Sequence, residues 1–253
     1  MYYRLYGSGK PVILLHGFGE DGQIFENQIA SLKDKAQLIV PDLPGSGLSP
    51  ILKNASSMDD YAASIKAIME EENMSSCIMI GHSMGGYITL AFVEKYPEFV
   101  DSFGLFHSSA YADDESKKET RQKGIEFIKQ HGASKFVEQT TQNLFSPITK
   151  ESYPELIRQI TERYANFNPD SLVQYYEAMM KRPDRTAVLK NAGKPVMFIF
   201  GQHDTAIPLE KGLEQSHLPE FSYIHICKNS GHMGMLEETE FCNEALEKFI
   251  KEA

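Results

Sequence analysis

Six short runs, apolar throughout except for His225 in the last, recur along the chain, and each ends abruptly at glycine, histidine, proline or a small polar residue. They are Val12-Ile13-Leu14-Leu15 before His16-Gly17, Leu38-Ile39-Val40 before Pro41-Asp42, and Cys77-Ile78-Met79-Ile80 before Gly81. Residues 103–106 then stop at His107-Ser108, residues 196–200 at Gly201, and residues 223–227 run toward Gly231-His232. A strand with one wet face alternates apolar and polar residues, whereas a strand covered on both faces reads as a continuous apolar run. The runs therefore predict a parallel sheet with helices on both sides. Helical spacing fills the gaps. Tyr61, Ile65, Ile68 and Met69 share a face of residues 59–72, and Phe241, Leu246, Phe249 and Ile250 one of residues 237–250. Residues 84–96 carry the small side chains that close helix–strand packing needs. Strand and helix in alternation give an α/β class with a doubly wound, mostly parallel sheet.

Residues 110–190 break this rhythm. They hold polar, amphipathic helical stretches and no strand-like run, which predicts an inserted all-helical cap between core segments 1–109 and 191–253. Asn168-Pro169 reads as an N-cap followed by proline in the first turn. Leu172, Tyr175, Tyr176, Met179 and Met180 then form an apolar stripe that packs on the core and also suits the roof of a pocket. Residues 108–190 contain 13 basic and 12 acidic side chains, a net of +1, whereas the rest of the chain carries −11. Five of the six arginines lie in the insertion. Solvated helix faces account for most such charges; an arginine facing a substrate carboxylate is the functional alternative.

The 253 residues carry a formal charge of −10, with a sequence pI near 5.3. Nucleic acid and anionic membrane are thus not expected as partners, because phosphate binding draws on clustered Lys and Arg. No apolar run approaches bilayer length, and the first residues lack a secretory pattern. Cys77, Cys227 and Cys242 show neither C-x-x-C nor metal-ligand spacing and read as buried thiols of a reducing compartment. A cytoplasmic protein is the expectation; the sequence sets no oligomeric state.

Chemistry concentrates in Gly81-His82-Ser83-Met84-Gly85-Gly86, which follows an apolar run and precedes a helix. The pattern G-x-S-x-G in that context describes a sharp strand-to-helix turn, with glycines where backbones crowd and the serine hydroxyl exposed at the sheet's carboxyl edge. A serine nucleophile needs a base, and the base needs an orienting carboxylate. Gly201-Gln202-His203-Asp204 and Asn229-Ser230-Gly231-His232 follow the last two runs and supply both at the same edge. The order Ser83, Asp204, His232 has spacings of 121 and 28 residues. Of the eight histidines, His232 is favoured by its glycine-preceded loop. His82 reads as packing, His16 and Asp42 as loop-fixing groups, His203 as a turn residue, and His107 as a pocket candidate. Asp113 and Asp114 are rival acids beside what looks like a helix start.

With His16-Gly17-Phe18-Gly19 and Asp42-Leu43-Pro44-Gly45-Ser46-Gly47-Leu48-Ser49 in their places, the whole chain resembles the α/β-hydrolase-fold serine hydrolases, its insertion resembling their lid. The resemblance implies a carboxylesterase-like enzyme that needs no metal or organic cofactor and takes a small-molecule acyl substrate. It also implies an oxyanion hole from the backbone N–H groups of Phe18 and Met84. Pocket positions expected alongside are His107, Met233, Tyr175 and Met179. Two other readings keep the triad. Ring-cleavage C–C hydrolases of the fold often have tryptophan after the catalytic histidine, where this chain has Met233, and the menaquinone-pathway lyases commonly have arginine where it has Tyr87. Receptor-like relatives share the character of the first loop. Epoxide hydrolases and haloalkane dehalogenases use an aspartate nucleophile, which Ser83 argues against.

Overall fold

The computed structural model describes residues 1–53 and 55–253. Seven strands build one sheet: β1 (Tyr3–Tyr6), β2 (Pro11–Leu15), β3 (Gln37–Pro41), β4 (Cys77–His82), β5 (Val100–Phe106), β6 (Val196–Gly201) and β7 (Ser222–Cys227). Their order is β1-β3-β2-β4-β5-β6-β7, and every pair is parallel except β1 with β3. Each apolar run became a strand. The additional strand, β1, is a short, partly exposed edge paired Leu5 to Ile39; like the opposite edge β7, where Ile224 is exposed and only Cys227 is buried, it lacks the two-sided burial of β2 to β6.

The period-two geometry of a strand sends neighbouring side chains to opposite faces. Ile13, Leu15 and Met79 join one buried cluster, and Val12, Leu14, Ile78 and Ile80 the other. The helices are α1 (Glu26–Leu32), α2 (Met58–Glu71), α3 (Met84–Lys95), α4 (Glu115–Thr141), α5 (Pro147–Ser152), α6 (Pro154–Tyr164), α7 (Pro169–Lys181), α8 (Thr186–Asn191), α9 (Leu209–Ser216), α10 (Gly234–Glu237) and α11 (Thr239–Glu252). Helices α2 and α3 cover the first cluster, where Tyr61, Ile65, Ile88 and Phe92 are buried. Helices α1 and α11 cover the second, with Leu32, Leu246 and Phe249. A capping box between Ser57 and Asp60 starts α2.

Between β5 and β6 the described residues form helices and no strand. Helix α4 is interrupted at Gly132, whose φ of 82° is open to glycine at little cost, and packs on α7 and α6. The predicted cap at Asn168 is present, its side chain accepting from Asp170 and Ser171 N–H. Helix α8 packs on α3, and its Leu189 belongs to the core cluster on that face. No helix among the described residues is long and apolar enough to cross a membrane.

Candidate active site

Ser83 sits where β4 gives way to α3, with φ 50° and ψ −116°. A positive φ at a non-glycine residue is strained and persists only where surrounding structure enforces it. Here the enforcement is a set of close backbone approaches and hydrogen bonds. A Cβ on Gly81 would fall on the Gly85 carbonyl, and one on Gly85 would strike the Leu15 carbonyl. The Ser83 N–H donates to the Phe106 carbonyl at 2.9 Å, and the Ser108 hydroxyl donates to the Ser83 carbonyl at 2.7 Å. The two glycines of the motif are therefore required by the backbone path itself.

Parallel strands place their following loops on one edge, so the loops after β4, β6 and β7 converge. His232 Nε2 lies 2.9 Å from Ser83 Oγ, and His232 Nδ1 lies 2.7 Å from Asp204 Oδ2. Asp204 is anchored in turn: its Oδ1 accepts the N–H groups of Ala206 at 2.8 Å and Ile207 at 2.9 Å. Burial alone would raise the Asp204 carboxyl, but His232 and His107 beside it hold it well below the usual carboxylate range. With Asp204 ionised, Nδ1 of His232 carries the proton and Nε2 offers its lone pair to the serine. The backbone N–H groups of Phe18 and Met84 donate to no protein acceptor among the described residues. Met84 heads α3, where such groups are unpaired by construction.

Two further imidazoles surround this relay. His82 is fully buried, with Nδ1 3.0 Å from Glu20 Oε2 and Nε2 3.0 Å from the His232 carbonyl oxygen. Burial pushes its pKa down, but Glu20 overrides that and raises it. Glu20 Oε2 also accepts the Gly17 N–H at 2.8 Å, so one carboxylate steadies the first loop and, through His82, the base loop. His107 is held down to about 4 by burial and accepts the Gly234 N–H on Nε2 at 3.1 Å. Its Nδ1 faces Asp204 Oδ2 at 3.4 Å. The loop-fixing expectations also have their counterparts. His16 Nε2 accepts the Leu43 N–H at 2.9 Å, and Asp42 Oδ2 accepts that of Leu48 at 2.9 Å.

A cavity of about 400 Å³ opens over Ser83. Phe18, Met179 and Met233 line it; Tyr175 and His107 do not. Those two positions are corrected. Tyr175 turns inward, fully buried, and donates its hydroxyl to the Pro44 carbonyl at 2.9 Å. Its neighbour Tyr176 faces the cavity instead and stacks on Phe18 with centroids 4.2 Å apart. His107, at φ 48°, is folded beneath the relay. Asp113 is no acid for the relay: it is paired with Arg121 at 2.6 Å and Arg182 at 2.9 Å. Sequence reasoning missed Glu20, and it missed Glu237, which accepts from Gly231 N–H at 2.8 Å and Ser146 N–H at 2.8 Å and so ties the base loop to the helical insertion. No spacing rule singles out either carboxylate.

His107, Asp204 and His232 bring three ligand-type atoms within 4.8 Å of one another. Each is already committed. Asp204 holds His232, and the N–H of Gly234 occupies His107 Nε2. A cation there would compete with the hydrogen bond that orients the base.

A family model described as alpha/beta hydrolase fold matches residues 10–239. The chain belongs to that family. Within the alpha/beta hydrolase fold family, one similar curated protein is the pimeloyl-[acyl-carrier protein] methyl ester esterase of Legionella pneumophila, 26% identical over 97% of this chain and 97% of that one. Among solved structures, a thermophilic esterase from Thermogutta terrifontis superposes with a TM-score of 0.94 at 26% identity, covering 99% of this chain and 92% of the other. The enol-lactonase of Burkholderia xenovorans superposes at 0.91 with 17% identity, covering 99% and 96%, a likeness of fold.

Proposed function

We propose that this chain is a serine hydrolase that cleaves a small ester or related acyl substrate through an acyl-enzyme on Ser83. One observation carries the reading: Ser83, His232 and Asp204 form an unbroken hydrogen-bonded relay at the floor of a largely apolar cavity. In this reading His232 Nε2 takes the hydroxyl proton as Ser83 Oγ attacks the carbonyl carbon. The oxyanion is held by the N–H groups of Phe18 and Met84, whose charge-directed bonds strengthen as the tetrahedral intermediate forms. The imidazolium, stabilised by Asp204, then protonates the departing alkoxide, and the neutral imidazole this leaves draws a proton from the water that releases the acid.

The names of the relatives support ester chemistry: the Legionella protein is called a methyl ester esterase and the Thermogutta protein an esterase. A cytoplasmic site of action is part of the same proposal, since all three cysteines are free and buried, as suits a reducing compartment. The test is fluorophosphonate labelling with peptide mapping, beside p-nitrophenyl ester turnover. Label on Ser83 and a loss of several orders of magnitude in Ser83→Ala are expected. Equal rates in parent and variant would reject Ser83 as nucleophile.

A further inference from the structure

The side wall of the cavity ends in a cation that the proposed chemistry does not use. Arg121, on α4, lines the cavity and spends only part of its guanidinium on the protein. Nε donates to Asp113 Oδ2 at 2.6 Å and Nη2 to Asp113 Oδ1 at 3.2 Å, while Nη1 donates to no acceptor among the described residues. Asp113 cannot neutralise it fully. The same carboxylate, with a fully buried side chain, also takes Arg182 Nη2 at 2.9 Å. Arg182 is sealed away, its guanidinium 3.8 Å over the Tyr87 ring and its Nη1 on the Met179 carbonyl. Two guanidinium groups share one carboxylate, leaving a net positive charge whose open side is Arg121.

The path from reacting carbonyl to that charge is built from stacked rings. Phe18, whose N–H is placed in the oxyanion hole, lies 4.2 Å from Tyr176 at an interplanar angle of 14°. The Arg121 Cζ lies 5.5 Å from the same Tyr176 ring. Lys117 lines the cavity near Arg121 and donates to the Ala206 carbonyl at 3.3 Å. The only carboxylate lining the cavity among the described residues is Glu20, and its Oε2 is taken by Gly17 N–H and His82. An apolar acyl chain can thus run along the Phe18–Tyr176 wall and end at a partly desolvated cation. A guanidinium N–H in such surroundings gains most from an anionic acceptor.

We infer that the acyl group of the substrate ends in a carboxylate, and that Arg121 Nη1 binds it while the ester lies over Ser83. The inference rests on the hydrolase reading above, and the experiment separates the two. Methanol release is measured for monomethyl succinate, glutarate and adipate against methyl butanoate, pentanoate and hexanoate. At the best chain length the half-ester is expected to lead in kcat/KM by at least about tenfold. In Arg121→Gln that ratio falls toward unity, and in Arg121→Lys most of it returns because the charge does. A purely structural Arg121 lowers both esters together and leaves the ratio where it was, which overturns the inference, as does a parent enzyme that prefers the neutral ester. Calorimetric binding of the same esters to Ser83→Ala gives a second reading that needs no turnover. A carboxylate preference there that Arg121→Gln abolishes upholds the anion site even if no ester is hydrolysed; equal binding of charged and neutral esters rejects it.

Discussion

Replacing Asp204 with asparagine keeps the shape of the side chain and reverses the proton logic of the relay. The two carboxylate oxygens have different work. Oδ1 accepts two backbone N–H groups, from Ala206 and Ile207, while Oδ2 accepts His232 Nδ1 at 2.7 Å. An amide has a single acceptor end. Turning its NH2 toward Ala206 and Ile207 would leave two backbone donors unpaired, at about 1–3 kcal/mol each. The amide oxygen therefore stays at the Oδ1 position and the NH2 faces His232. That donor forces the lone pair of His232 onto Nδ1 and the proton onto Nε2, so a proton rather than a lone pair meets Ser83 Oγ. A wrong-tautomer relay of this kind costs about 10⁴ in kcat, or about 5.5 kcal/mol of barrier. His107 adds to the conflict, because its Nδ1 faces the same Oδ2 position at 3.4 Å. Turnover of p-nitrophenyl butyrate by Asp204→Asn, with circular dichroism to verify folding, tests the argument. A folded variant within about tenfold of the parent refutes the tautomer reasoning.

Two more outcomes follow from buried groups near the site. His107 holds a pKa of about 4 against an ordinary 6.5, so between those values the unfolded chain binds a proton that the folded chain refuses. That contribution to stability is complete above pH ~6.5 and is lost as pH falls toward ~4, by at most about 3 kcal/mol. His16 acts in the same direction and His82 in the opposite one. Both remain in His107→Gln, which should flatten the acid side of the urea-midpoint profile; identical profiles for variant and parent would contradict the assignment. Glu237 accepts four donors, Gly231 and Met233 N–H on one oxygen and Ser146 N–H and Thr149 hydroxyl on the other. Glu237→Gln must turn an NH2 toward at least one backbone donor, and Tm should fall by several degrees with a matching loss of kcat. An unchanged Tm and rate would show that the clamp holds nothing.

What the sequence determined by itself is local and periodic. Five runs without polar alternation required strands covered on both faces, as β2 to β6 are and edge strand β7 is not, and the glycines at 81 and 85 required a turn tight enough to expose Ser83. Parallel topology then carried the residues after β6 and β7 to the same edge, so Asp204 and His232 were legible from their positions alone. Edge strand β1 escaped because Tyr3-Arg4-Leu5-Tyr6 holds no continuous apolar run. Tyr175 and Tyr176 show where periodicity ends. Neighbours on a helix point about 100° apart, and only the placement of α7 against Pro44 and Phe18 decided which ring met the core and which met the cavity. The same holds for Arg121, whose Nη1 is spare because Nε and Nη2 both turn to Asp113, and for Glu20 and Glu237, whose donors come from loops far away in sequence. Burial pattern is written residue by residue, but the pairing of distant loops depends on how rigid elements stack, and that is settled only when the chain has packed.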